Sequence, residues 1–173
     1  LTGNSGINPA TNYIGTTDDS SLIFKVGGVK SGEIASTNTT INTGFGYGAL
    51  AANPSGNANS AFGGAALTAV TSGENNTAVG VGALQKDTTG SENTAIGIST
   101  LAKNLTGDEN TAIGESALNK NTTGDHNVAL GAHSMRNNTT GSNNVAVGYE
   151  AGVYGTYSNR LFIDNQDRLD ATQ

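Results

Sequence analysis

Of the chain's 173 residues, 25 are Gly, 22 Asn and 23 Thr, so 70 positions favour turns or narrow strands and a helical bundle is disfavoured. Hydrophobic residues make up 35% and aromatics 5%, with no Trp and one Met, too few bulky side chains for the single compact core of a conventional enzyme. Charged residues are only 13% and the net charge is −6, a balance that points to a repetitive fibrous or solenoid protein and away from nucleic-acid or anionic-membrane partners.

There is no cysteine, hence no disulfide, thiolate metal site or thiol nucleophile. No apolar run of about 18 residues exists and no charged-then-apolar leader opens the chain, so neither a membrane span nor a signal peptide is expected. The chain opens on Leu1 without a Met, the expected mark of a piece of something longer.

In chain order, residues 1–41 form a leading segment. Within it Ser21–Val26 and Val29–Ile34 flank Gly27-Gly28, a two-residue hairpin signal. Solenoid ends expose unpaired strand edges, and this hairpin is expected to cap the first coil.

The array follows over residues 42–160. Asn42, Asn59, Asn76, Asn93, Asn110, Asn127 and Asn144 stand 17 residues apart without an insertion, giving seven units. The fifth position is Gly in all seven (Gly46, Gly63, Gly80, Gly97, Gly114, Gly131 and Gly148), and the fifteenth is Gly in six, ending at Gly141. Two fixed glycines imply two fixed corners.

Between the corners, Thr111-Ala112-Ile113 alternates in the strand sense. Both of its faces recur in every unit, which predicts parallel strands stacked about 4.8 Å apart and covered on both sides. The second half, such as Glu115–Asn121 with one Leu, is either a strand or a single helical turn. Stacked Asn side chains are expected to form a hydrogen-bonded ladder. Each coil offers only about two large apolar groups, Ile96 and Leu101 for example, against an ordering cost of roughly 1.5 kcal/mol per residue. The flat Ala/Gly face (Ala78, Ala95, Ala112, Ala129, Ala146) is therefore expected to pack on another copy, making a homo-oligomer.

Residues 161–173, which follow Arg160, are read as a strand, Leu161–Asp164, that is a terminal cap or a hand-over to the next fibre module, and a frayed polar tail from Asn165 to Gln173. The seventh unit loses its Leu to Gly152 and gains Tyr149, Tyr154 and Tyr157, which read as an end cap or as contacts to a receptor.

Chemistry is sparse. His126 and His133 lie in adjacent units at different repeat positions, with no HExxH or paired-Cys pattern, so neither is expected to bind metal or catalyse. GxG fragments such as Gly46-Tyr47-Gly48 lack the context of a phosphate cradle. Glu74, Glu92, Asp108, Glu109 and Asp125 near the second corner, and the Lys86, Lys103 and Lys120 column, read as solvated charge. No metal or cofactor is expected. Asn104, Asn121 and Asn138 sit in N-x-[ST] sequons as a by-product of the repeat. The adjacent pairs Thr88-Thr89, Thr122-Thr123 and Thr139-Thr140 point opposite ways in an extended segment, so a flat ice-binding grid is not evident, although an ice-binding solenoid is the alternative function.

The units Asn143–Gly148 and Glu109–Gly114 resemble the NSVAIG signature in heads of YadA-type trimeric autotransporter adhesins, whose repeat is nearer 14 residues than 17. The Asn-Thr-Ala-Ile-Gly, Ala-Leu and Asn-Thr-Thr-Gly pattern more closely resembles arrays in phage tail-fibre-like and bacterial surface proteins, and Asn8–Asp18 and Asn159–Asp164 resemble their flanks. That resemblance implies a homotrimeric, left-handed parallel β-roll and an extracellular setting on a virion tail or bacterial surface. It further implies a cell-surface glycan or protein receptor, and with no convergent acid, base or nucleophile in the sequence no enzymatic activity is expected. The expected fold is thus an all-β, parallel β-solenoid of seven 17-residue coils in a homotrimeric fibre segment.

Overall fold

The computed structural model describes residues 21–36, 41–53 and 55–164. The motif at residues 8–18 and the tail at 165–173 lie outside the described residues. A single ten-stranded sheet runs in sequence order. Its strands are β1 (Leu22–Val26), β2 (Val29–Ser36), β3 (Ile41–Phe45), β4 (Ser60–Phe62), β5 (Thr77–Val79), β6 (Thr94–Ile96), β7 (Thr111–Ile113), β8 (Val128–Leu130), β9 (Val145–Val147) and β10 (Leu161–Ile163). Strands β3 to β10 pair in parallel, residue on equivalent residue, as in Thr94 on Thr111 and Ile96 on Ile113. The chain is a parallel β-solenoid of about seven turns with no helix among the described residues, and so with none long and apolar enough to cross a membrane. The final turn is one residue shorter, since Val145 pairs with Leu161.

At the leading end β1 and β2 form the expected hairpin, and β2 pairs antiparallel with β3. Gly27 and Gly28 both have positive φ, +58° and +81°, as a two-residue turn matched to strand twist requires.

The second half of each coil is neither strand nor helix. Left-handed residues recur at the fifth, seventh and ninth positions, the ninth being Leu50, Leu67, Leu84, Leu101 and Leu118 with φ of 48° to 51°. Such a conformation costs an L-residue roughly 1–2 kcal/mol. Two gains offset it. Burying each leucine contributes about 1.5–3 kcal/mol, and its N–H donates to the next coil, as Leu84 to the Thr100 carbonyl at 3.0 Å and Leu101 to that of Ala117 at 3.0 Å. The zigzag thus hydrogen-bonds between coils as a strand would, while turning the chain back on itself.

The leucine column and the alanines of the strands fill one narrow interior. Ala78, Ala95, Ala112, Ala129 and Ala146 are fully buried inside the coil, which corrects the expectation that this face meets another copy. The coil leaves room for only a methyl group on the strand side once the leucine enters from the opposite wall. It is the other face, with Thr94 and Ile96, that lies open in the single chain, and Ile96 therefore adds little to the interior. The strands are covered on one side only.

The two glycine corners exist for different reasons. At the fifth position Gly114 has φ +128°, and a Cβ there would sit 2.6 Å from the Gly131 carbonyl carbon. At the fifteenth position φ is ordinary, but a Cβ on Gly107 would lie 2.5 Å from the Gly124 carbonyl oxygen. Close coil stacking excludes a side chain at both.

Candidate functional site

The asparagine column forms the expected ladder. The Oδ1 of Asn93 accepts the Asn110 backbone N–H at 3.0 Å, and the Asn110 Nδ2 donates to the Gly124 carbonyl of its own coil at 2.8 Å. The same pair of bonds recurs at Asn59, Asn76, Asn93 and Asn127. These buried amides tie each coil to the one before it and close the second corner, so their role is structural.

A second ladder went unread in the sequence. Asn104, Asn121 and Asn138, at the twelfth position, are buried; Asn121 Nδ2 donates to Asn104 Oδ1 at 2.9 Å and to the Gly124 carbonyl at 2.9 Å. Enclosed in this way, the sequon amides have no room for a glycan in the folded chain. Asn53 and Asp87 occupy the same position, and Val70 interrupts the column between them. Asp87 is fully buried; its Oδ1 accepts from the Gly90 N–H and the Asn104 Nδ2, while its Oδ2 has no partner. Burial pushes its carboxyl up to about 7, with the Asn104 hydrogen bond opposing that shift. A polar residue at one repeat position in five units was the signal that could have revealed this column.

The corner threonines are also spent internally. The Thr88 and Thr122 hydroxyls donate to the Leu105 and Thr139 carbonyls of the next coil, at 2.8 and 2.9 Å. The histidines do not converge. Exposed His126 lies 3.4 Å from Glu109, whereas His133 packs edge-on against Tyr149 with ring centroids 5.8 Å apart. Among the described residues no group of His, Asp and Glu is placed to hold a metal ion.

The three tyrosines separate. Tyr154 and Tyr157 line a cavity of about 340 Å³ at the trailing end, together with Leu161, Phe162 and Glu150. Tyr157 packs on Phe162 at 5.7 Å, in keeping with an end cap, while Tyr154 is 77% exposed. Tyr149 belongs to a different surface, the corner row that also presents Tyr47, Val81 and Ile98, and adjacent Glu150 raises its phenol above the usual range.

The largest continuous feature is the open sheet face. Its fourth-position row runs Phe45, Phe62, Val79, Ile96, Ile113, Leu130 and Val147, mostly about two-fifths exposed; Phe62 stacks on Phe45 and Phe24 packs on Phe45 at a tilt, both at 5.9 Å centroid spacing. Beside it stand Ser60, Thr77, Thr94 and Thr111, half-buried and outward-facing. Soluble monomers rarely leave so long an apolar strip uncovered. These features define a parallel β-solenoid whose open sheet face carries a continuous apolar row. No protein-family model, curated protein or solved structure matches the chain.

Proposed function

We propose that the protein is a non-enzymatic, homotrimeric segment of an extracellular fibre, a phage tail fibre or bacterial surface adhesin, that holds attachment sites for a cell-surface glycan or protein receptor. The observation that carries this reading is the continuous apolar row from Phe45 to Val147 along the open sheet face. Three copies turning these rows toward a common axis would bury them and complete a core that one chain leaves half made. A stiff rod of three chains then multiplies any receptor contact threefold, raising avidity without new contacts.

Light scattering tests the assembly. The expected particle has about three times the 17.3 kDa chain mass, and Ile96→Asp with Ile113→Asp, placing two charges in the row, is expected to yield monomers. A monomeric parent chain overturns the reading.

Ice binding has one observation in its favour, the outward Thr77, Thr94 and Thr111 column beside Val79, Ile96 and Ile113. It requires the same face to be free. Thermal hysteresis from a monomeric chain would select it, and a trimer would remove it.

A further inference from the structure

The charges of the array are sorted by face. Lys86, Lys103 and Lys120 occupy the eleventh position of three successive coils, and Arg136 stands one position earlier, at the tenth, in the fourth. All four side chains are exposed. Their register is fixed by the backbone: the N–H groups of Lys86, Lys103 and Lys120 donate to the carbonyls of Ala102, Asn119 and Arg136, at 3.1, 3.1 and 3.2 Å. The three lysines therefore stand one above the next, about 4.8 Å apart and about 10 Å from first to last, with Arg136 offset by one residue at the end of the line.

None of the four is neutralised. Among the described residues Lys30 is ion-paired with Glu33, and Glu109 lies beside His126. Asp87, next to Lys86, is enclosed in the interior, and Glu74, Glu92, Asp108, Glu109 and Asp125 stand at the sixteenth and seventeenth positions, further round the coil. Stacked like charges repel, and a chain of net charge −6 has acids enough to have interleaved them. The eleventh position is also half-way round a 17-residue coil from the strand, so the line faces away from the apolar row and stays open when that row is covered.

We infer that the Lys86, Lys103, Lys120 and Arg136 line binds a linear acidic polysaccharide, a polyuronate or a glycan with one sulfate per sugar, laid along the solenoid axis. The ~4.8 Å coil step is close to the length of one pyranose residue, so carboxylates of a polyuronate laid along the axis come within reach of successive lysines, whereas the charges along each strand of duplex DNA recur at about 3.4 Å and fall out of step. Chelation of the polymer by successive coils relieves the repulsion within the stack. The inference rests on the attachment reading for its three copies alone, because one chain carries a complete line.

The test is binding of the full chain to polygalacturonate oligomers at low salt, by thermophoresis, with light scattering on the same samples. Expected are binding that weakens steeply with salt and a loss of about tenfold or more in Lys103→Gln with Lys120→Gln. The charge-matched Lys25→Gln with Arg160→Gln is expected to bind as the parent does, and unchanged melting of both variants verifies their folding. Absence of binding overturns the inference, as does an equal loss in the two variants, which would show an effect of overall charge. Duplex DNA competing as well as the uronate also overturns it, assigning the line to nucleic acid or to any polyanion. A monomer that binds leaves this site standing and removes the trimeric rod; a trimer that does not bind does the reverse.

Discussion

Replacing Asn110 with Ala is expected to destabilise the solenoid by about 3–4 kcal/mol, a large share of what holds a marginal repeat protein together. The amide serves two coils at once. Its Oδ1 accepts both the backbone N–H and the Nδ2 of Asn127, each at 3.0 Å, and its Nδ2 donates to the Gly124 carbonyl. Those partners do not lose equally. The Gly124 carbonyl keeps the Asn121 Nδ2, and the Asn127 Nδ2 keeps the Gly141 carbonyl, but the Asn127 backbone N–H has no other acceptor. A buried donor left unpaired costs roughly 1–3 kcal/mol, and the other lost bonds add about 1 kcal/mol each.

Urea unfolding of Asn110→Ala beside Asn119→Ala measures this. Asn119 makes a single side-chain bond, to the Ser99 carbonyl, from a half-buried position, and its loss is expected to cost about 1 kcal/mol. Equal midpoints for the two variants would mean that the ladder is not what joins the coils.

The Asn110 column was legible because a strict repeat places identical residues over one another, and stacked amides have few ways to be satisfied other than through their neighbours. The same logic made Gly114 and Gly107 readable as corners. Alternation in Thr111-Ala112-Ile113 also revealed two faces. It did not reveal which face is inside, because that depends on Leu118 entering from the opposite wall and leaving space for no more than a methyl group. The turn containing Leu118 was itself unreadable. A leucine at φ 50° contradicts its own preference, and only the inter-coil bond and the burial of its side chain keep it there. Asn121 was visible as a column but was read through its sequon, and whether a sequon faces solvent is a tertiary fact. The Lys103 line was visible too, while its isolation from the acids required the coil geometry.

Asp87 gives the second large effect, and it runs against the usual direction for a carboxylate. Its folded-state value of about 7 lies above the ordinary 3.8 because burial disfavours the charge. The folded chain therefore holds this proton more tightly than the unfolded chain does. Its contribution is fully present below about pH 4, is lost as pH rises toward 7, and stays lost above it. At about 1.4 kcal/mol per pKa unit, the loss comes to about 4–5 kcal/mol. Neighbouring coils show how the site would be satisfied: Asn104, Asn121 and Asn138 each donate Nδ2–H to the glycine carbonyl three residues on, where Asp87 has only an unpartnered Oδ2. Asp87→Asn supplies that donor, keeps an acceptor for the Asn104 amide, and continues the ladder by one coil. It is expected to raise stability at pH 8 by several kcal/mol, to change it little at pH 4, and to flatten the profile between. Urea midpoints from pH 4 to pH 8.5 for both proteins decide the matter. Parallel profiles would place the titration elsewhere, whereas convergence at low pH would identify Asp87 as the weakest joint of the stack.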